Sequence, residues 1–360
     1  MPGQVVLVLQ GGGALGAYQL GVYQAMHEAG VEPDWVIGTS IGAINGAIIA
    51  GNDPRYRLDR LRQFWHRMEQ NALGFSIMPR AFANALTVGQ GIPAFFEPNL
   101  SSWWNPDARV GIEQASFYQT APLRTTLDTL VDFDYINAPR KQHATRLTVG
   151  AVNARTGGMR YFDSRKEPLG ASHVMASGAL PPAFPAVRID GEPYWDGGIY
   201  SNTPIEAVLD DEPRRSSVIF SVQVWNPDGS EPQSMMQVLD KHKEIQYASR
   251  ASNIEQQRKL HRLRHVIRQL TLHLSDEAAM SEEVRELASW GCGTTMHVVS
   301  LKAPRVGNED HTKDIDFSAA GIRARWQAGY EDTRRFIELR PWDKEIDPIE
   351  GIAIHELPVL

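Results

Sequence analysis

The sequence predicts an α/β fold, with a mostly parallel central sheet and helices on both faces, followed by a largely helical C-terminal region. Three observations lead there. Val-rich runs at residues 5–9 and 218–224 have the continuous hydrophobicity of strands buried on both faces. Segments of helical composition separate the strands, and that alternation is the pattern of parallel βαβ units. Glycines gather where the first two strands give way to helices, at residues 11–16 and 38–42.

The first strand, 5–9, runs into Gln10-Gly11-Gly12-Gly13-Ala14-Leu15-Gly16 and then a helix over 17–29, with Gly30 as its stop. A glycine loop that opens a helix turns several backbone N–H groups toward one point, which suits a phosphate and equally a tetrahedral oxyanion. Gly11, Gly13 and Gly16 also fit G-x-G-x-x-G. A dinucleotide site, however, needs an acidic residue at the far end of the second strand. Here Glu32 and Asp34 precede that strand, and its far end carries Gly38-Thr39-Ser40.

Residues 35–37 end the second strand and 41–50 form an Ala/Gly/Ile-rich helix. Between them, Gly38-Thr39-Ser40-Ile41-Gly42 has the layout of a nucleophile elbow, in which a sharp turn points the serine hydroxyl outward. Both glycines remove a Cβ that the turn would crowd, and the helix N-terminus favours negative charge beside the serine. The expectation is a serine acyl hydrolase with Ser40 as nucleophile.

Asp53-Pro54 starts the next helix, with Leu58, Leu61, Trp65 and Met68 at helical spacing. Residues 74–120 change character. Pro79, Pro93, Pro98 and Pro106 break regularity, and Phe75, Phe82, Phe95, Phe96, Trp103, Trp104 and Phe117 crowd the segment. It reads either as a lid or acyl-chain channel above the serine, or as a loop whose aromatics pack on the domain. A helix over 122–131, a strand over 146–152 and a Gly157-Gly158 turn into 159–162 follow. Two short strands, 187–189 and 194–195, flank a turn at Gly191 and deliver Asp196-Gly197-Gly198. An ordinary Asp-Gly turn is one reading of that tripeptide, and a catalytic aspartate is the other.

A soft boundary falls at 226–229, separating a catalytic domain, 1–228, from an accessory region, 229–360, packed on its core. Residues 234–274 read as one or two long helices. Leu260, Leu263, Ile267 and Leu270 form an apolar stripe there, beside Arg258, Lys259, Arg262, Arg264 and Arg268. Such a helix can lie on anionic lipid, or dock on the core with a solvated basic face. His261 and His265 are four apart, but no Glu follows His261 as a zinc-protease motif requires, and no metal is expected. A strand over 295–301 and a terminal helix over 322–339 complete the chain.

Taken together, these pieces resemble the patatin-like phospholipase family over residues 4–225. That family's pattern is a glycine-rich oxyanion loop, a G-x-S-x-G nucleophile and a D-G-[GA] aspartate, in that order. The chain supplies Gly11 to Gly16, then Gly38 to Gly42, then Asp196-Gly197-Gly198. Ala176-Ser177-Gly178-Ala179-Leu180-Pro181-Pro182-Ala183-Phe184-Pro185 is similar to the family's small-residue helix ending in a Pro-Phe-Pro corner, and Asn202-Thr203-Pro204 to its Asn-x-Pro. The resemblance implies a Ser40–Asp196 dyad in place of a triad, an oxyanion hole from the loop of Gly11, Gly12, Gly13 and Gly16, and lipid esters as substrates. One departure is the loop itself: many members carry Arg or Lys there, and this chain has Ala14 and Leu15. The alternative is a catalytically silent lipid- or partner-binding protein on the same fold, which would not require an intact Ser-Asp pair.

Composition narrows the setting. The 360 residues are 42% hydrophobic and 22% charged, enough for one large core. A formal charge of −7 argues against a nucleic-acid partner. The single cysteine, Cys292, points to a reducing compartment. With no basic leader and no apolar run near roughly 18 residues, the expectation is a cytoplasmic protein whose membrane contact is peripheral. No cofactor is expected.

Overall fold

The computed structural model describes residues 1, 3–69, 89–138, 144–229, 231–248, 251–275, 281–306 and 311–357. Its main sheet has nine strands: β1 (Gln4–Leu9), β2 (Trp35–Gly38), β3 (Arg146–Asn153), β4 (Met159–Asp163), β5 (Val187–Ile189), β6 (Glu192–Asp196), β7 (Ser217–Gln223), β8 (Met296–Lys302) and β9 (Ile352–Glu356). Their order is β9-β8-β7-β1-β2-β3-β6-β5, with β4 also on β3. Pairings from β9 through β3 are parallel, and those of β4, β5 and β6 are antiparallel.

Register sets the site. Leu9 lies opposite both Gly38 and Val222, so β1, β2 and β7 end at one level, where the glycine loop, the elbow and Trp225 meet. Crevices at the carboxyl ends of parallel strands are where such sheets hold ligands. The Val-rich β1 is central and buried on both sides, as its continuous hydrophobicity requires.

Helices α1 (Ala17–Glu28), α2 (Ile41–Ala50), α3 (Pro54–Met68) and α4 (Ala121–Leu130) follow the predicted segments closely. The small-residue helix α5 (Ala171–Ser177) lies earlier than the 176–185 stretch suggested and is capped by Gly178, before the proline corner. Asp53 caps α3 by accepting the Arg55 amide at 3.0 Å. The terminal helix α9 (Ala319–Leu339) lies against α1. Gly21 and Gly329 face each other's helices so closely that a Cβ on either would meet backbone, at Tyr330 N (2.6 Å) and Tyr18 C (2.9 Å) respectively.

The region beyond 228 is more than a helical accessory. It supplies β8 and β9, which extend the catalytic sheet in parallel, together with α6 (Met235–Tyr247), α7 (Ala251–Leu272), α8 (Glu282–Ser289) and α9. The apolar stripe of α7 also faces the other way from a docked helix. Leu260, Leu263 and Leu270 are exposed, while His261 is buried beside Gly351 at the start of β9. The reason lies in the partners of the basic face: Arg258 and Arg262 pair with Glu350, and Arg264 with Asp210.

Within the aromatic segment, Phe75, Pro79 and Phe82 lie outside the described residues. Phe95 and Phe96 are buried and pack on Phe184, and Phe95 also meets Phe317. Trp103 meets Phe117 at a tilt yet stays half exposed, and Trp104 is almost fully exposed.

Candidate active site

Ser40 sits between β2 and α2 with φ 55° and ψ −126°, a conformation rare for a residue bearing a Cβ. The glycines around it are dictated by crowding. A Cβ on Gly38 would collide with the Gly42 carbonyl, and one on Gly42 with the Leu9 carbonyl of β1. Across the cleft, a Cβ on Gly11 would stand 2.9 Å from that of Ser40. Gly42→Ala is therefore expected to destabilise the fold by about 3 kcal/mol. Gly46→Ala, on the same helix and 3.0 Å from a Val36 methyl, serves as the control and should cost far less. Urea unfolding compares them, and equal costs would mean that the elbow relaxes around the added methyl.

Asp196 is the last residue of β6 and not a loop residue. It pairs across β3 with Ala151, and its amide donates to the Ala179 carbonyl at 3.0 Å. The Ser40 hydroxyl hydrogen-bonds its carboxyl, and the Gly198 amide donates to the same group at 2.7 Å. Asp196 is 2% exposed. Burial pushes its carboxyl up to about 7, against the downward pull of the Ser40 and Gly198 hydrogen bonds. Gly197 allows the turn to pass the Gly150 carbonyl of β3, and Gly198 sits 2.8 Å, by its absent Cβ, from Asn202 Oδ1.

The glycine loop runs beside this pair, and its residues separate into two roles. The Gly11 amide is taken by the Asn202 carbonyl at 3.2 Å, and Gly16 packs against Ile41 and Trp65. Among the described residues, no protein acceptor takes the amides of Gly12 or Gly13. Gly13 has φ +55°, and a Cβ there would collide with the Asp314 carbonyl.

Four residues that sequence reasoning gave no role hold this loop. Gln10 accepts the amides of Val224 (2.5 Å) and Trp225 (2.9 Å) and donates to Thr203 Oγ1 (2.7 Å) and the Tyr247 carbonyl (3.1 Å). Asn202 donates to the carbonyls of Gly11 (3.1 Å) and Tyr247 (2.8 Å). The Trp225 indole donates to the Gly11 carbonyl at 2.8 Å, and Tyr247 stacks on Trp225. Asn202 carried a signal, the Asn-x-Pro that follows the aspartate. Trp225 and Tyr247 carried none, since the contact joins α6 to a loop more than 200 residues earlier.

A profile described as patatin-like phospholipase matches residues 7–209, which include the loop, Ser40 and Asp196. The chain belongs to the patatin-like phospholipase family. A second profile, described as patatin phospholipase, matches residues 245–349. Among similar proteins, the patatin-like chain is 24% identical over 240 residues to Lysophospholipase NTE1 of Yarrowia lipolytica, covering 64% of this chain and 14% of that one. It is 59% identical over 46 residues to Lysophospholipase nte1 of Aspergillus terreus (13% and 3%), and 41% over 69 residues to human patatin-like phospholipase domain-containing protein 6 (19% and 5%). The chain thus spans only a small part of the length of these relatives. VipD from Legionella pneumophila superposes with a TM-score of 0.43 at 17% identity, covering 98% of this chain and 72% of that one.

Proposed function

We propose that this patatin-like protein is a serine acyl hydrolase that cleaves carboxylic esters of phospholipids or lysophospholipids through an acyl-enzyme on Ser40. One observation carries the reading: the Ser40 hydroxyl meets the carboxyl of Asp196, which is 2% exposed. As Ser40 Oγ attacks the ester carbonyl, its proton passes to Asp196, and a tetrahedral oxyanion forms. The amides of Gly12 and Gly13 are the donors we assign to that oxyanion, with Gly11 and Gly16 shaping the loop. Collapse expels the alcohol, which takes the proton from Asp196. Water then repeats the sequence in reverse, with Asp196 as base, and releases the fatty acid. A silent binding protein would gain nothing from a carboxylate held out of water at this cost.

The open groove of about 170 Å³ lined by Ser101, Ser102, Asn105, Val110, Phe117 and Pro182 is the space we assign to the acyl chain. It lies beside the corner whose Ala179 carbonyl takes the Asp196 amide. The test is turnover of p-nitrophenyl esters of graded chain length, phospholipids and lysophospholipids, with the fluorophosphonate adduct mapped by mass. An adduct on a residue other than Ser40 would overturn the reading.

Peripheral membrane contact, on the same reading, belongs to α6 and not to the basic α7. α6 turns its charged residues inward, where Asp240 and Glu244 pair with Lys313 and Glu244 also with Arg305. Met235, Met236, Leu239 and Ile245 face solvent, and the helix ends against the oxyanion loop. By contrast, α7 from His261 onward lies near the opposite, amino-terminal end of the strands, next to Gly351. Among the described residues, no helix is long and apolar enough to cross a membrane. Changing Met235, Leu239 and Ile245 to Gln is expected to weaken co-sedimentation with phosphatidylcholine vesicles about tenfold or more, with little salt dependence, while soluble-ester turnover persists. Binding that instead follows salt and the arginines of α7 would move the contact there.

A further inference from the structure

We propose that Ser177 is a positioning residue that holds the nucleophile elbow against the strand that registers Asp196. The proposal rests on the hydrolase reading above. Ser177 is the last residue of α5 and is fully buried. The Ser40 amide donates to it twice, to the carbonyl and to the hydroxyl oxygen, each at 3.1 Å. The Ser177 hydroxyl has one proton, and it donates that proton to the Gly150 carbonyl at 2.6 Å. The direction of the bond chain is therefore fixed: Ser40 N–H to Ser177 Oγ, and Ser177 O–H to Gly150 O.

Gly150 gives this chain its meaning. It lies on β3, one residue before Ala151, the partner of Asp196 on β6. The same Gly150 carbonyl is what the backbone of Gly197 passes so closely that a Cβ there would collide with it. Ser177 thus ties one member of the dyad, through its own amide, to the strand that places the other. The strained backbone of Ser40 needs such an anchor, because a residue with φ near +55° relaxes unless its surroundings hold it. No other side-chain hydroxyl among the described residues bonds the Ser40 amide. Ser177 acts only through Ser40 and is assigned no contact with the substrate.

Removing the hydroxyl frees the Gly150 carbonyl and half of the Ser40 amide's bonding, and the elbow gains room to rotate. Misplacement of a reacting group by about 1 Å costs about 100-fold. Ser177→Ala is accordingly expected to lower kcat about 10- to 100-fold with KM within twofold. Its rate of fluorophosphonate labelling should fall by the same factor, since both reactions need Ser40 Oγ aimed outward. Rates are normalised to protein with the wild-type near-ultraviolet circular dichroism, so a loss of folded molecules does not imitate the effect. Ser177→Thr keeps the hydroxyl and should recover most of the labelling rate. A Ser177→Ala enzyme with wild-type kcat and labelling per folded molecule overturns the proposal, as does a Thr variant no better than the Ala one. Ser40→Ala separates this from the larger reading: turnover surviving there removes the nucleophile itself, whereas turnover lost there but intact in Ser177→Ala removes only the positioning role.

Discussion

Ser40→Ala is expected to abolish fluorophosphonate labelling and to lower ester turnover at least about 1,000-fold, leaving only what binding and the loop donors supply. The variant should remain folded, because the hydroxyl is not part of the core and the backbone strain is unchanged. Ser40→Gly makes a sharper test of the same assignment. It should be equally inactive, yet more stable than Ser40→Ala by about 1 kcal/mol, since glycine takes φ 55° without a Cβ penalty. Urea unfolding of the two variants reads the difference. A glycine variant no more stable than the alanine one would mean that the elbow is not held under strain, and labelling retained in either would place the nucleophile elsewhere.

Much of this site was legible because local rules dominate it. A strand end, a helix start and two glycines specify a turn around Ser40 without reference to the rest of the chain, and α2 begins where the pattern puts it. The Asp196 turn was legible in the same way, through the Asp190-Gly191 hairpin, whose two residues both take positive φ. What no local rule could show is that β6 carries Asp196 as its final residue and sets it by pairing with β3.

Long-range partners account for the rest. The strand expected over 295–301 is β8, but its place beside β7 in the catalytic sheet was not legible. β9, which joins the sheet only by pairing with β8, was hidden in a region of helical composition. The stripe on α7 misled because apolar periodicity fixes that a helix has two faces, not which one docks. Arginines that find partner carboxylates on the core reverse the usual choice, and Glu350 is 88 residues from Arg262. The same holds for α6, whose inward charges are satisfied by Lys313 and Arg305 from the far side of β8. Gln10, Trp225 and Tyr247 escaped notice because most of the bonds that join them to the loop have a backbone carbonyl or amide at one end, which leaves no mark on residue type.

Asp196→Asn keeps the shape of the carboxyl but cannot accept the Ser40 proton, so turnover is expected to fall by about 100-fold or more. His173→Gln should do far less: burial lowers the His173 pKa, its ring takes the Gly170 amide at the start of α5, and it meets the Phe162 ring edge-on. His143 lies outside the described residues. The pH dependence follows from the direction of the Asp196 shift. The base must be ionised, so wild-type kcat/KM should rise with pH along a single acidic limb with its midpoint near 7. Stability runs the opposite way. A carboxyl raised from 3.8 to about 7 on folding favours the protonated native state, fully below the unfolded value and progressively less as pH climbs through the folded one. By pH 8 the ionised carboxylate costs the fold up to about 4 kcal/mol, and Asn at this position does not incur that cost. Asp196→Asn should therefore be nearly as stable as wild type at pH 4 and more stable at pH 8, a gap that urea unfolding at the two pH values would resolve. An activity profile flat down to pH 5, or a stability gap that does not open between pH 4 and pH 8, would show that this carboxyl ionises normally, and the dyad would then need a different base.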